Sequence, residues 1–434
     1  MPLDAANQVV KAQRVYTEGI YDAYAKKPDF LKFFETKTED VPVNYLGRQV
    51  TVETGPNPSF AMGNPDGGDF ATPGNPTLDN LTLTYQWANG GFEQTLAAMM
   101  NNNKETVDDP FKRAVKSSAK QFSQWLNYYV SAGNGISGLA TASASYSGGS
   151  PTVFVANGAT DSFGATRVVP LQYGFIYDPT GTTQRVGTVG TGVLRIASKT
   201  KTTITFTTNL PSDYVTGDIF VPEGGNQVGF KGLPYLTRNS GSLFNKSLTS
   251  VPSLQSQVIT VSGALTAASI LQLYAQMAQV TNADDSGATD WITICFAMAQ
   301  WYNYVSLTTV SPTFMHTSAG RPGADVGAQS LQSTWFGAPM RRFLQLRGDE
   351  LYMLSLTNPE DGGKAFASAV LKKVGQILPG MPASDWVQAI NGTTSSYRTA
   401  RQQFLDFAGD FYCRTPFSQG VLRALSMPTA MQKS

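Results

Sequence analysis

Two stretches near the N-terminus alternate apolar and polar positions. VPVNYLGRQVTVETG (41–55) and NLTLTYQWANGGFEQ (80–94) both keep the period of two that a half-buried strand requires. Between them runs PNPSFAMGNPDGGDFATPGNPTLDN, ending at Asn80, where Pro, Gly, Asn and Asp bar both a helix and a regular sheet. Phe60, Met62, Phe70 and Leu78 remain in or beside that loop as spaced apolar anchors. The flanks are expected to pair as a long hairpin tipped by the loop. About 15 residues per flank, at about 3.3 Å each, give an arm of roughly 50 Å, more than a compact domain needs for itself.

A helical period follows in DDPFKRAVKSSAKQFSQWLNYYVSAGNG, where Phe111, Val115, Phe122, Leu126 and Tyr129 recur on one face and Lys112, Lys116 and Lys120 on another. Asp108 and Asp109 suit the positive end of the helix dipole, Pro110 a first-turn position and Gly133 the stop. About 24 residues at 1.5 Å make a helix near 36 Å. Its basic face reads first as a solvated surface and second as a nucleic-acid contact.

Further along, Ser137–Ser150 is a Gly/Ser/Ala linker by composition, and TVFVANG, TRVVPLQYGFIYDPTG, VGTGVLRIASKT and TTITFTTNLPSDYVTGDIFV read as the short strands of a small all-β module over 151–225. TAASILQLYAQMAQV (266–280) predicts a helix, WITICFAM a buried strand running into a second helix, ELYMLSL a strand and AFASAVLKKVGQIL a helix. Residues 1–40 mix charge and aromatics, with Val15, Ile20, Tyr24 and Phe30 only loosely periodic, and suggest an arm with short helical pieces.

Composition narrows the function. The 434 residues include 32 Lys plus Arg against 31 Asp plus Glu, so neither a general nucleic-acid footprint nor an acidic tail is present. Cys295 and Cys413 are too few for a disulfide framework and read as free thiols of a reducing compartment. WITICFAMA is about half the length a membrane helix needs, and Asp4, Lys11 and Arg14 occupy the place of a signal-peptide core. His316 is the sole histidine, which rules out HExxH, Cys/His zinc sites and histidine dyads, and no GxSxG or GxxxxGK[ST] accompanies it. GNGISG at Gly133 matches GxGxxG but follows a helix instead of a strand. Asp284, Asp285 and Asp290 lack calcium-loop spacing and read as a solvated turn. No catalytic, cofactor-binding or metal-ligating residue is expected.

An arm (RVYTEGIYDAY), an extended hairpin loop, a long helix, a β insertion with TGDIFV before FKGLPYL, and a closing FGAPMRRFLQLRGDELYMLSL follow one another in an order that resembles the major capsid proteins of tailed bacteriophages. The resemblance is one of order and texture and covers almost the whole chain. It implies an α+β capsid fold, shared with encapsulins and the herpesvirus capsid floor: N-terminal arm 1–40, extended loop 41–92, spine helix and peripheral domain 93–150, inserted β domain 151–225, return to the peripheral domain 226–262, and axial domain with C-terminal peripheral strands 263–434. It also implies self-assembly through hexamers and pentamers into an icosahedral shell around double-stranded DNA, assembly in the host cytoplasm, and portal, scaffolding and decoration proteins as partners, with no membrane. No scaffold-like segment precedes the arm, so the scaffold is expected to be a separate protein. Candidate inter-subunit contacts are Arg48, Phe60, Met62, Phe70, Leu78, Lys112, Lys116 and Lys120.

Three other readings stay open. An encapsulin-like nanocompartment shell has a similar fold but usually lacks a long insertion. A β-rich adhesin or carbohydrate-binding protein explains the Thr/Gly-rich strands. A carboxylate-only glycosidase fits because paired acids meet in space, not along the chain.

Some members of the resembled family lock their shells by an isopeptide bond from a loop lysine. This chain has no lysine from Thr38 through Asn103, and the guanidinium of Arg48 stays protonated and is no substitute nucleophile. Assembled protein boiled in detergent is expected to run as one band near 46.6 kDa; a ladder of multimers surviving reductant contradicts this.

Overall fold

The computed structural model describes residues 33, 35–39, 47–55, 74–75, 77–95, 125–149, 151–156, 164–165, 167–187, 193–223, 225, 229–281, 292–310, 334–335, 338–357, 364–371, 388–391, 394–397 and 400–428. It is a mixed α+β chain dividing into two units. One comprises Met1–Gly47, Thr84–Tyr128 and Ser368–Asp410, the other Arg48–Leu83, Tyr129–Ala367 and Phe411–Ser434. The N-terminal stretch 1–32, the loop residues Phe60, Met62 and Phe70, the lysines 112, 116 and 120, the aspartates 284, 285 and 290, and His316 lie outside the described residues.

The strands run, in chain order, β1 Glu35–Glu39, β2 Gly47–Gly55, β3 Thr77–Thr84, β4 Gln86–Thr95, β5 Ala140–Thr141, β6 Val153–Val155, β7 Tyr173–Tyr177, β8 Leu194–Lys199, β9 Thr203–Phe206, β10 Ile219–Pro222, β11 Ser242–Leu243, β12 Lys246–Ser247 and β13 Gln257–Gly263. They continue as β14 Ile292–Ala297, β15 Thr334–Trp335, β16 Ala338–Phe343, β17 Leu351–Ser355, β18 Phe366–Leu371, β19 Gln388–Asn391, β20 Thr394–Tyr397, β21 Ala400–Cys413 and β22 Gly420–Leu425.

In the first unit a sheet of order β1-β18-β21-β4 is built from distant segments, with Gln86–Thr95 paired antiparallel to Ala400–Gly409. Two expectations fail here. Phe366–Leu371 is a strand, not a helix: AFASAV satisfies either period, and pairing with β1 and β21 decides it. The second flank of the hairpin divides after Thr84, so β2 pairs only with β3 while β4 joins the other sheet. The paired root is therefore about 30 Å long at 3.3 Å per residue, not 50. Residues 35–39 are likewise a strand within the segment read as an arm with helical pieces.

The second unit holds a sheet of order β13-β22-β17-β14-β16-β15. All six residues of β14 are buried, as the apolar run predicts. β14 lies between β16, to which it is parallel, and β17, to which it is antiparallel, so the two closing segments flank it. Helix Ala267–Thr281 forms where its period predicts, opened by Thr266, whose Oγ1 accepts from the Ser269 N–H at 3.1 Å. Helix Met298–Val310 follows β14 directly, and its Trp301 and Tyr304 close on Phe296 at 5.4 and 5.2 Å.

Strands β5, β10, β7, β8, β9 and β6 form one antiparallel sheet, and an Ala142–Ala156 bridge joins its two outer strands into a closed barrel. Phe154, Ile176, Leu194, Ile196, Ile204 and Phe220 fill its interior. Ala140 and Thr141 come from the stretch read as linker, recruited because closure removes two open edges.

Substituting Gly420 tests the central packing. A Cβ there meets Met277 Sδ at 2.5 Å and Leu273 Cδ1 at 3.1 Å. Gly420→Ala is expected to cost about 1–3 kcal/mol in urea unfolding; an unchanged midpoint contradicts the close approach of helix and strand.

Candidate functional site at the hairpin root

The period of two on β3 sorts its residues cleanly. Leu81 and Leu83 are fully buried, while Leu78, Asn80, Thr82 and Thr84 face out. With Val52 of β2, Leu81 packs against Leu243, Leu248 and Leu254, and Val50, Tyr235, Phe244 and Val251 close around them. The hairpin is thus anchored by one face to a platform, residues 235–254, of its own unit.

Polar groups complete the seat. The Asn245 side chain accepts from the Thr82 N–H at 2.9 Å and donates to the Asn80 carbonyl at 3.2 Å, replacing a strand along the open edge of β3. The Ser253 hydroxyl donates to the Thr54 carbonyl at 2.9 Å, and Lys246 Nζ lies 2.6 Å from an Asp79 carboxylate oxygen. Across the hairpin Thr51 Oγ1 donates to Asn80 Oδ1 at 2.9 Å and Thr54 Oγ1 to the Thr77 carbonyl at 3.1 Å.

Asn245 follows Phe244 in the two-residue connection between β11 and β12, and Phe244 takes φ +53°. That left-handed conformation is costly for an aromatic residue. Tyr235 offsets it, its hydroxyl accepting from the Phe244 N–H at 2.7 Å and its ring lying 5.5 Å from the Phe244 ring, while Lys231 Nζ stands 5.0 Å over that ring. Arg238 stacks 3.9 Å over the Tyr235 ring.

Of the eight residues predicted to contact a neighbouring copy, Leu78 is described fully and is 61% exposed on the outward face. Arg48 lies on β2, its side chain not among those described. Sequence reasoning missed Asn245 and Lys246. The available signal was an Asn-Lys pair at a turn between short apolar runs, but its partner strand is more than 160 residues away.

Both thiols are buried, and burial pushes Cys413 up to about 12 and Cys295 higher still, so neither is a thiolate at neutral pH. The buried carboxylates Asp218 and Glu350 serve structure, the first gripped by Arg185 at 2.8 and 3.0 Å, the second accepting from the Tyr352 hydroxyl at 2.5 Å. The GNGISG segment is explained by close backbone approach: a Cβ on Gly133 would lie 2.3 Å from the Tyr129 carbonyl oxygen and 2.7 Å from that of Phe230. Among the described residues no group of His, Cys, Asp and Glu could hold a metal, and no helix is long and apolar enough to cross a membrane.

No protein-family model and no curated protein matches the chain. Solved structures do. The chain is similar to one in the cyanophage A-1(L) capsid asymmetric unit, at 11% identity and TM-score 0.49, covering 92% of this chain and 93% of that one. It is also similar to the holo encapsulin complex of Synechococcus elongatus, at 8% identity and TM-score 0.39, covering 91% and 86%. A third likeness is to a virus-like particle from Pyrococcus furiosus, at 8% identity and TM-score 0.35, covering 94% and 98%. These likenesses are of fold, to a phage capsid chain, an encapsulin and a virus-like particle alike.

Asp79 gives the seat a pH dependence. Its contact with Lys246, then the Asn80 N–H, holds its carboxyl below the usual carboxylate range. A depressed carboxylate contributes fully above its unfolded value, and that contribution is lost as pH falls through the folded one. Amide exchange at Thr82 is therefore expected to lose protection on acidification, and Lys246→Met to flatten the response. Asn245→Ala, which strips partners from Thr82 and Asn80, is expected to cost about 1 kcal/mol locally. Unchanged exchange in both variants contradicts the proposed seat.

Proposed function

We propose that this chain is a structural shell subunit, the major capsid protein of a tailed bacteriophage, which assembles with copies of itself into an icosahedral container for double-stranded DNA. The observation that carries the reading is the hairpin. Its root is fastened to its own unit by Val52 and Leu81, yet it presents Leu78 outward and leads into a long loop whose Phe60, Met62 and Phe70 have too little apolar company to make a core. An apolar loop on an anchored root suits contact with another copy.

Near-neutral charge fits the same role, since a strongly basic wall would trap the packaged polymer through counterion release. Spreading weak contacts over arm, loop and spine helix, with Lys112, Lys116 and Lys120 among them, suits a subunit that must not associate too early. Portal, scaffolding and decoration proteins are the further partners in this reading, with assembly in the host cytoplasm and no catalytic step.

Purified protein viewed by negative-stain microscopy is expected to form closed particles, and deletion of Phe60–Leu78 to leave soluble, folded subunits that complete none. Dispersed monomers or trimers from the intact chain overturn the shell in favour of an adhesin. Closed particles that carry protein cargo but no DNA in the native host select the encapsulin-like reading. Loss of soluble protein on deletion places the loop inside a core instead.

A further inference from the structure

The barrel is electrically polarised along β7. Segment 164–172 runs beside β8, with the Leu171 N–H donating to the Ile196 carbonyl at 2.9 Å, the Ala165 N–H to that of Lys201 at 2.9 Å, and Lys199 Nζ bonded to the Val168 carbonyl. Every charged residue described in 164–172 and 193–203 is a cation: Arg167, Arg195, Lys199 and Lys201. The register of Tyr173 with Arg195 fixes this group at the start of β7, where the guanidinium lies 5.6 Å over the Tyr173 ring. Glu223, whose N–H donates to the Tyr173 carbonyl at 3.0 Å, is the one acid there among the described residues, whose four cations less one anion leave +3.

Beyond the other end of β7 the sign reverses. Segments 178–187 and 211–218 meet, since a Cβ on Gly187 would lie 2.3 Å from the Ser212 nitrogen. They hold Asp178, Asp213 and Asp218 against Arg185, and three anions less one cation leave −2. Arg185 is taken up by Asp218. Asp178 stays ionised, since the Thr180 hydroxyl and then the N–H groups of Thr183 and Thr182 hold its carboxyl down to about 2. Register of Ile219 with Tyr177 puts this end about 16 Å from Tyr173, at 3.3 Å per residue.

Both ends also expose apolar side chains that the barrel does not need. Leu171 is 61% exposed and Tyr173 45% at the cationic end, with Leu171 held at φ +69°, a strained conformation that turns a leucine to solvent. Val186 is 51% and Val215 44% exposed at the acidic end.

We propose that the barrels of neighbouring copies associate head to tail, the end carrying Leu171, Tyr173, Arg195 and Lys201 on one copy seating on the end carrying Asp178, Val186, Asp213 and Val215 of the next. Two different complementary patches on one module make a heterologous contact, which closes into rings or continues, whereas like ends repel. The contact rests on the shell reading for its supply of aligned copies. It adds to that reading a second, charge-steered link besides the hairpin.

The test uses full-length protein made in two isotopic forms, mixed before assembly and treated with a carbodiimide that joins amines to carboxylates. Mixed-label pairs between Lys201 and Asp213 or Asp178 are expected. Lys201→Glu is expected to abolish them, and Lys201→Glu with Asp213→Lys to restore a pair with amine and carboxylate exchanged. Closed particles without mixed-label pairs overturn the barrel contact and leave the shell standing. Open oligomers with the pairs overturn the shell and leave the contact standing, and monomers alone overturn both. Loss of the pairs when excess duplex DNA is added during assembly assigns the cationic end to nucleic acid and also overturns the contact.

Discussion

The C-terminal strand holds the second unit together. β22 lies between β13, to which it is parallel, and β17, to which it is antiparallel, so the sheet around β14 stays open until the last described residues of the chain arrive. Helix Ala267–Thr281 depends on the same strand, because Met277 and Leu273 rest on Gly420, where any side chain would intrude. Gln419 binds the strand entrance on both sides, its amide donating to the Ser355 and Thr415 carbonyls at 3.2 Å each and its carbonyl accepting from the Ser355 N–H at 3.0 Å. Such a non-local core is slow to form and cooperative once formed, a fitting base for excursions that have little core of their own.

Hairpin and barrel are both such excursions, and each is secured differently. The hairpin has one buried face and borrows its core from the platform of residues 235–254. The barrel closes on itself and fills its interior with its own aromatic and branched side chains, Phe206 lying 5.5 Å from Phe220. In both cases a few apolar side chains face outward, Leu78 on the hairpin and Leu171, Tyr173, Val186 and Val215 on the barrel.

Several buried or partly buried polar groups among the described residues serve architecture. Arg423 donates to the Pro234 and Thr237 carbonyls at 3.0 and 3.1 Å, tying β22 to the start of the hairpin platform. Glu350 is buried beside Tyr352, whose hydroxyl donates to it at 2.5 Å, and desolvation raises its carboxyl above the usual range. Asn245 and Lys246 hold the root of β3. Each of these groups reduces the freedom of a joint between segments.

By itself the sequence determined the elements whose period is unambiguous and whose packing is local: β14 as a buried run, the helix over 266–280, short strands of a β module, and a hairpin about a Pro/Gly-rich loop. It singled out Leu78 as an apolar anchor of the loop, whereas the structure puts that residue on β3, where alternation turns it outward. Only tertiary structure decided who pairs with whom. AFASAV became a strand because β1 and β21 supplied its hydrogen bonds, and Gln86–Thr95 left the hairpin for a partner more than 300 residues away. The Asn245 bridge, barrel closure through Ala142 and Ala156, and the opposite charges at the two ends of β7 are likewise invisible along the chain. Alternation specifies which side of a strand is apolar, but backbone hydrogen bonds are the same for every residue, so the choice of neighbour falls to the packing of the whole.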